Sequence, residues 1–222
     1  MCGRYTITVT LDELMMRYFI DEAPQIHYVP KYNAAPVQHI PAVIHDGRRN
    51  RLGTLRWGLI PSWARDDKGG STRINARAES LLEKASFKGL LRSRRCIIPA
   101  DGFYEWKQGP DGKQPMRIVL PERRIFSLAG LYDIRTDMDG NKLSTCTIIT
   151  TEPNSLMADI HNRMPVILPP EAETQWLDRS NEDVSALLRL LQPYDAAQMR
   201  AYPVSTAVGN VRNDYPELIK EA

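Results

Sequence analysis

The 222-residue chain has 3 cysteines, none in a Cys-x-x-Cys pair and none at zinc-finger spacing from a histidine, which argues against structural zinc. It has no apolar run near the roughly 18 residues that a membrane span needs, and no N-terminal apolar region of the secretory type. Neither a span nor a secretory signal is expected, and a reducing cytosol, which keeps thiols free, is the expected compartment. A surplus of one charge is missing as well. Lysine plus arginine total 29 against 27 for aspartate plus glutamate, so the net charge of +2 does not by itself point to a polyanion partner. Gly-x-Ser-x-Gly, Ser-x-x-Lys, a phosphate-loop run and His-Glu-x-x-His are all absent, which removes the common hydrolase and phosphate-loop readings. No cofactor or metal site is expected. There is no internal repeat, low-complexity tract or linker to separate domains. With 42% hydrophobic residues a substantial core is available, and residues 1–222 are expected to form one domain.

What is present is a succession of short elements. Arg4 to Val9 alternates and is rich in β-formers, so it reads as a strand. Thr10-Leu11-Asp12-Glu13 looks like a capping box ahead of the apolar run Leu14 to Ile20. Tyr32 to Pro36 reads as a loop, because Pro36 biases Ala35 to extended geometry and Asn33 suits a turn. His39 to His45 and Arg51 to Leu59 flank Asp46-Gly47 as a hairpin. Pro61 to Arg73, with Trp63 and Gly69-Gly70, reads as a loop. Ala78 to Lys84 and Phe87 to Leu91 are helical patterns, and strands are expected at 96–98, 102–107, 115–120, 125–132 and 143–150, punctuated by turn groups at 109–112 and 137–140. A short helix over 152–160 would deliver His161 just beyond its end. Val166 to Leu168 is strand-like, Glu171 to Leu177 helical, and Asn181 is a candidate cap for a helix over 184–191 before strand character returns at 199–205. Many short strands with interspersed helices indicate an α+β fold, a largely antiparallel, barrel-like sheet core with peripheral helices.

The second residue is chemically distinctive. If Met1 is removed, Cys2 carries an α-amine and a thiol on neighbouring carbons, a pair that can close a ring on one aldehyde. Their reference pKa values of about 8 and about 8.5 leave both partly reactive near neutrality. A small buried cysteine without chemistry is the alternative. Three polar residues sit inside segments that otherwise read as core: Asn75, Glu105 between Tyr104 and Trp106, and His161. Glu105 is either a buried carboxyl tuned for proton transfer or an outward strand position paired with a base. His161 is a general acid or base or a satisfied core histidine. Asn75 either orients a reacting group or caps the next helix. Trp57 and Trp63 are candidate stacking platforms for unpaired bases, or core. The clusters Arg48, Arg49, Arg51 and Arg92, Arg94, Arg95 are each a phosphate patch or a solvated face.

Taken in order, Met1-Cys2-Gly3-Arg4-Tyr5, Tyr32-Asn33-Ala34-Ala35-Pro36, Arg56-Trp57-Gly58-Leu59-Ile60-Pro61-Ser62-Trp63, Ile74-Asn75-Ala76-Arg77-Ala78-Glu79, Gly102-Phe103-Tyr104-Glu105-Trp106, His161-Asn162-Arg163-Met164-Pro165 and Val208-Gly209-Asn210-Val211 resemble the SRAP (SOS-response-associated peptidase) family. The resemblance implies a monomeric sensor of abasic sites in single-stranded DNA, cytoplasmic and nucleoid-associated when bound, that becomes covalently linked to the lesion through Cys2 after loss of Met1, autoproteolytic or by a cellular aminopeptidase. It implies that Asn75 holds the Cys2 end and the sugar remnant, that Glu105 and His161 serve proton transfer, and that Arg4 and Arg77 contact phosphates. Some relatives carry a second aromatic after the tryptophan matching Trp63, where this chain has Ala64 in a lengthened loop.

The implied chemistry follows from the residue types. The Cys2 amine condenses with the ring-opened sugar aldehyde to a Schiff base, and the thiol then adds to the same carbon to give a thiazolidine. The second step is intramolecular and gains an effective molarity of roughly 10⁵ M or more. Two other readings fit some of the same residues: a cysteine or N-terminal-nucleophile peptidase acting on peptides in trans, and a non-covalent single-strand-binding module with salt-sensitive affinity and no preference for lesions.

Overall fold

The computed structural model describes residues 2–63, 73–110, 112–136 and 139–222. The strands are β1 (Tyr5–Ile7), β2 (Lys31–Ala34), β3 (His39–His45), β4 (Asn50–Trp57), β5 (Asn75–Arg77), β6 (Arg95–Ala100), β7 (Gly102–Gly109), β8 (Gly112–Val119), β9 (Phe126–Thr136), β10 (Lys142–Thr151), β11 (Met164–Pro165), β12 (Ile167–Leu168) and β13 (Arg200–Pro203). The helices are α1 (Leu11–Arg17), α2 (Ala85–Ser93), α3 (Ser155–Ala158), α4 (Pro170–Leu177) and α5 (Val184–Arg189). One sheet runs β13-β8-β7-β1-β2 and the other β11-β10-β4-β3-β6-β9-β12. In the second, β9 also pairs with β10, so β10-β4-β3-β6-β9 closes into a ring and leaves no free edge among those strands. The fold is α+β with mostly antiparallel pairing. The exceptions are β10 with β4 and with β5, which are parallel. No helix among the described residues is long and apolar enough to cross a membrane.

Burial explains why the ring closes. Every residue of β6 is buried, as are Phe126 to Asp133 of β9 and Thr145 to Thr151 of β10, so these strands are covered on both faces. Where they cross, space is short. A Cβ on Gly130 would lie 2.9 Å from Cys96 Sγ and 3.1 Å from the Thr147 carbonyl oxygen, and a paired backbone carbonyl cannot step aside. Gly130→Ala is expected to cost about 1–3 kcal/mol, read as a fall in Tm of about 2–4 °C per kcal/mol for a chain of this size. An unchanged melting curve would show that the crossing can expand.

Thr10 caps α1 as expected, its hydroxyl accepting from Glu13 N–H while Glu13 returns a bond to Thr10 N–H at 2.7 Å. Other local expectations are overridden by tertiary contacts. Of the segment Tyr32 to Pro36, read as a loop, Tyr32 to Ala34 lie in β2: Asn33 is fully buried and donates from Nδ2 to the carbonyls of Val208, Asn210 and Asn213, while Asp214 accepts from the N–H groups of Tyr32 and Asn33. The turn-forming amide is used to tether the C-terminal segment. The helix expected over 78–84 is a single 3₁₀ turn, Ala78–Ser80, ahead of α2. The cap of α5 is Asp183, which accepts from Ala186 N–H, and not Asn181. Met1, Ala64, Gly69-Gly70 and the remainder of the expected loop over 64–72 fall outside the described residues, as do Asp111, Asp137 and Met138 of the two turn groups.

Candidate active site

β1 pairs antiparallel with β7 so that Tyr5 faces Phe103 and Thr6 faces Gly102. The pairing continues upstream, Tyr104 N–H donating to the Arg4 carbonyl at 3.0 Å. This register runs the residues before β1 toward Glu105. Cys2 is fully buried there, and its thiol is pushed well above the usual cysteine range by burial first and by the Glu105 charge second.

Asn75 reaches the same place from the other sheet. β5 lies parallel to β10 with Asn75 opposite Ile148, and the indole N–H of Trp57 donates to the Ile74 carbonyl at 2.9 Å, fixing the chain just before Asn75. The Asn75 amide nitrogen then donates to the Cys2 carbonyl at 3.1 Å. The helix-capping alternative for Asn75 is thereby replaced by a clamp on Cys2. Its Oδ1 is buried and has no hydrogen-bond partner among the described residues, so an acceptor is left facing the site.

Glu105 is 3% exposed, which decides between its two readings in favour of the buried carboxyl. Burial raises its pKa to about 7. His161 follows α3, held by its N–H to the Met157 carbonyl at 2.8 Å, and its Nε2 lies 4.0 Å from Glu105 Oε2. Burial lowers the imidazole pKa below its ordinary 6.5. The two shifts, upward for the carboxyl and downward for the imidazole, draw together the proton affinities of a carboxyl and a histidine that ordinarily lie apart. A group that is half-protonated at neutrality can both donate and accept.

The residues expected to meet DNA separate. Arg77, the last residue of β5, is exposed one strand step beyond Asn75. Trp63, the last described residue before position 73, is 65% exposed. Trp57 is fully buried and packs edge-on against Tyr5, with ring centroids 5.6 Å apart, so its face is not presented to a base, against the stacking expectation, and its N–H holds Ile74, next to Asn75. Arg4 is largely committed inside the protein, donating to Asn33 Oδ1 at 3.2 Å, to the Val208 carbonyl at 2.8 Å and to the Gly209 carbonyl at 3.3 Å. Of the arginine clusters, Arg95 is buried and closes the ends of α2 and α4 through the carbonyls of Leu91, Trp176 and Asp178, while Arg49 and Arg51 pair with Glu22.

Sequence reasoning missed the surroundings of the site. A cleft of about 610 Å³ opens beside Gly3 and Arg4, walled by Pro36, Val37, Trp106 and Val211. Trp106 stood next to Glu105 in the sequence, and strand alternation alone would have placed it on the opposite face. Arg163 pairs with Glu79; two opposite charges so far apart in sequence give no local signal. A larger depression, about 1350 Å³ between α1 and α4, contains none of these residues.

A family model described as "SOS response associated peptidase (SRAP)" matches residues 1–211. The chain is 54% identical over 222 residues to a Bacillus subtilis protein named abasic site processing protein YoqW, covering 99% of each. It is 35% identical to abasic site processing protein HMCES of Gallus gallus, covering 86% of this chain and 66% of that one. Among solved structures, a Bacteroides thetaiotaomicron protein superposes with a TM-score of 0.89 at 28% identity, covering 100% of both chains.

Proposed function

The chain belongs to the SRAP family, and from that premise we propose that it processes abasic sites in single-stranded DNA by capturing the opened sugar on Cys2 once Met1 has been removed. The observation that carries this reading is the meeting of Cys2, the Asn75 clamp and a buried carboxyl with a pKa of about 7. The relatives named above as abasic site processing proteins support it.

The freed amine attacks the C1′ aldehyde. Loss of water from the carbinolamine needs a proton delivered to the leaving hydroxyl and one withdrawn from nitrogen, and Glu105 and His161 are suited to both transfers. Sγ then adds to the iminium carbon, its proton passing to the same pair, and the ring closes. With the iminium consumed, β-elimination loses its electron sink and the strand stays whole. Asn75 Oδ1 is the acceptor available to a sugar hydroxyl. A duplex hides the sugar, whereas an unpaired strand can splay it into a site recessed this far.

The buried thiol tells against a peptidase acting in trans. Such an enzyme needs a thiolate at neutral pH, which means a lowered pKa, and here burial moves it the other way. Ring closure does not need a standing thiolate, since the iminium carbon is a strong electrophile held next to Sγ.

A denaturing gel of protein lacking Met1, mixed with single-stranded DNA bearing one abasic site, tests the proposal. A slow-migrating heat-stable species is expected, and it should be absent from protein that retains Met1, whose Cys2 nitrogen is an amide. Equal cross-linking by both forms would reject the mechanism. Arg77→Ala is expected to weaken strand affinity and to lower the slope of log affinity against log salt by about 0.7, the counterion release of one phosphate contact on a single strand. An unchanged slope would take Arg77 out of the binding path.

A further inference from the structure

The turn between α3 and β11 does more than carry His161. The Arg163 side chain forms a two-pronged ion pair with Glu79, Nη1 to Oε1 and Nη2 to Oε2 at 2.9 Å each, and Nη2 also donates to the Thr150 carbonyl at 2.8 Å. The Arg163 side chain is 14% exposed against 53% for Glu79, so the guanidinium is the seated member. Its backbone faces the other way. Arg163 N–H donates to His161 Nδ1 at 3.1 Å, and the Arg163 carbonyl oxygen lies 3.2 Å from the same nitrogen. Glu79 sits in the 3₁₀ turn that follows β5. The pair therefore ties the segment bearing Asn75 to the turn bearing His161.

Resting on the capture reading, the geometry points to Glu79 and Arg163 as positioning residues that hold His161 so that its Nε2 can take up and return a proton at the Cys2 site. With its proton on Nδ1, the neutral ring donates to the Arg163 carbonyl and presents an unprotonated Nε2. Uptake of a proton there gives imidazolium with the Nδ1 bond intact, and return of the same proton restores the neutral ring. In the other neutral tautomer, Nε2–H, the Nδ1 lone pair accepts from Arg163 N–H. Every protonation state thus keeps a backbone partner on Nδ1, and the ring need not swing during transfer. The charged groups that act on the imidazole include Glu105 on β7, the chain's α-amine and Lys113 on β8, while the Arg163 guanidinium is occupied by Glu79 and Thr150. Because the backbone cradle depends on where Arg163 sits, removing Glu79 should loosen it without touching any reacting atom.

The test uses protein lacking Met1 with ¹⁵N-labelled histidines, as Glu79→Ala and, should that variant fold poorly, Glu79→Gln. In the wild type, the His161 ring nitrogens should show the shifts of a hydrogen-bonded imidazole. In the variant they should move toward those of solvated histidine, and the His161 pKa should rise toward 6.5 as burial loosens. The cross-linking rate should fall about tenfold, short of the roughly 10²-fold that a 1 Å misplacement costs, with affinity for undamaged single strands unchanged. His161 shifts and pKa that stay at wild-type values would overturn the inference. So would a rate loss fully matched by lost strand affinity, which would make the pair part of DNA binding. Since the histidine spectra are recorded without DNA, a wild type that fails to cross-link at all would sink the capture reading and leave this readout standing.

Discussion

Cys2→Ala protein that has lost Met1 is expected to leave no heat-stable adduct on an abasic strand and yet to be trapped on it by borohydride. Alanine keeps the α-amine and deletes Sγ, so the Schiff base forms and goes no further. Its iminium remains an electron sink for the proton on the neighbouring sugar carbon, and the strand should break by β-elimination or be released by hydrolysis. The effect should be large, because ring closure draws on an effective molarity of roughly 10⁵ M or more that no thiol in solution supplies. The fold should tolerate the change: Sγ donates a long hydrogen bond, 3.9 Å, to the Arg4 carbonyl, and the lost volume is small. A trans-peptidase predicts no borohydride-trapped DNA, and a non-covalent module predicts no change from wild type. A heat-stable Cys2→Ala adduct formed without reductant would exclude the thiazolidine.

Glu105→Gln is expected to slow cross-linking by about 10²-fold to 10⁴-fold, the usual worth of a general acid–base group, and to abolish the limb of the pH–rate profile near 7. The same variant should be more stable than the parent at pH 8. Burial raises the folded pKa from an ordinary 4.5 to about 7, so between those values the native state keeps a proton that the unfolded chain has released, and stability falls as pH rises through that window. Above about pH 7 the native state bears a buried charge, a penalty on the order of 1–3 kcal/mol that glutamine does not carry. Denaturant unfolding of both proteins at pH 4.5 and pH 8 checks the sign: the gap in favour of the Glu105→Gln variant should open only at the higher pH. A gap that is equal at both values would mean that the side chain's charge is not what the site holds. With the gap as expected, function at Cys2 has been kept at a cost in stability, the common condition of a tuned active site.

The outline of the fold was legible in local pattern. Alternation and turn residues located β3 and β4, β7 and β8, β9 and β10, because a strand's side-chain period and a hairpin's turn chemistry are written in neighbouring residues. The capping box at Thr10 and Glu13 was legible for the same reason. Asn33 was not: its residue type suits a turn, but the carbonyls that hold it extended belong to residues 208, 210 and 213. Residue types alone indicated where the proposed capture can occur, since only a Cys2 freed of Met1 would place an amine and a thiol on adjacent carbons, and which polar side chains stood in apolar company. Tertiary structure alone decided what those side chains are. Whether Glu105 was a buried acid or a solvated one, whether Trp57 faced a base or the core, and whether Asn75 capped a helix or gripped the Cys2 carbonyl depended on strand register and on the pairing of β5 with β10. Burial, and with it every pKa at the site, is a property of what the distant chain brings alongside, and that is fixed only when the sheets close.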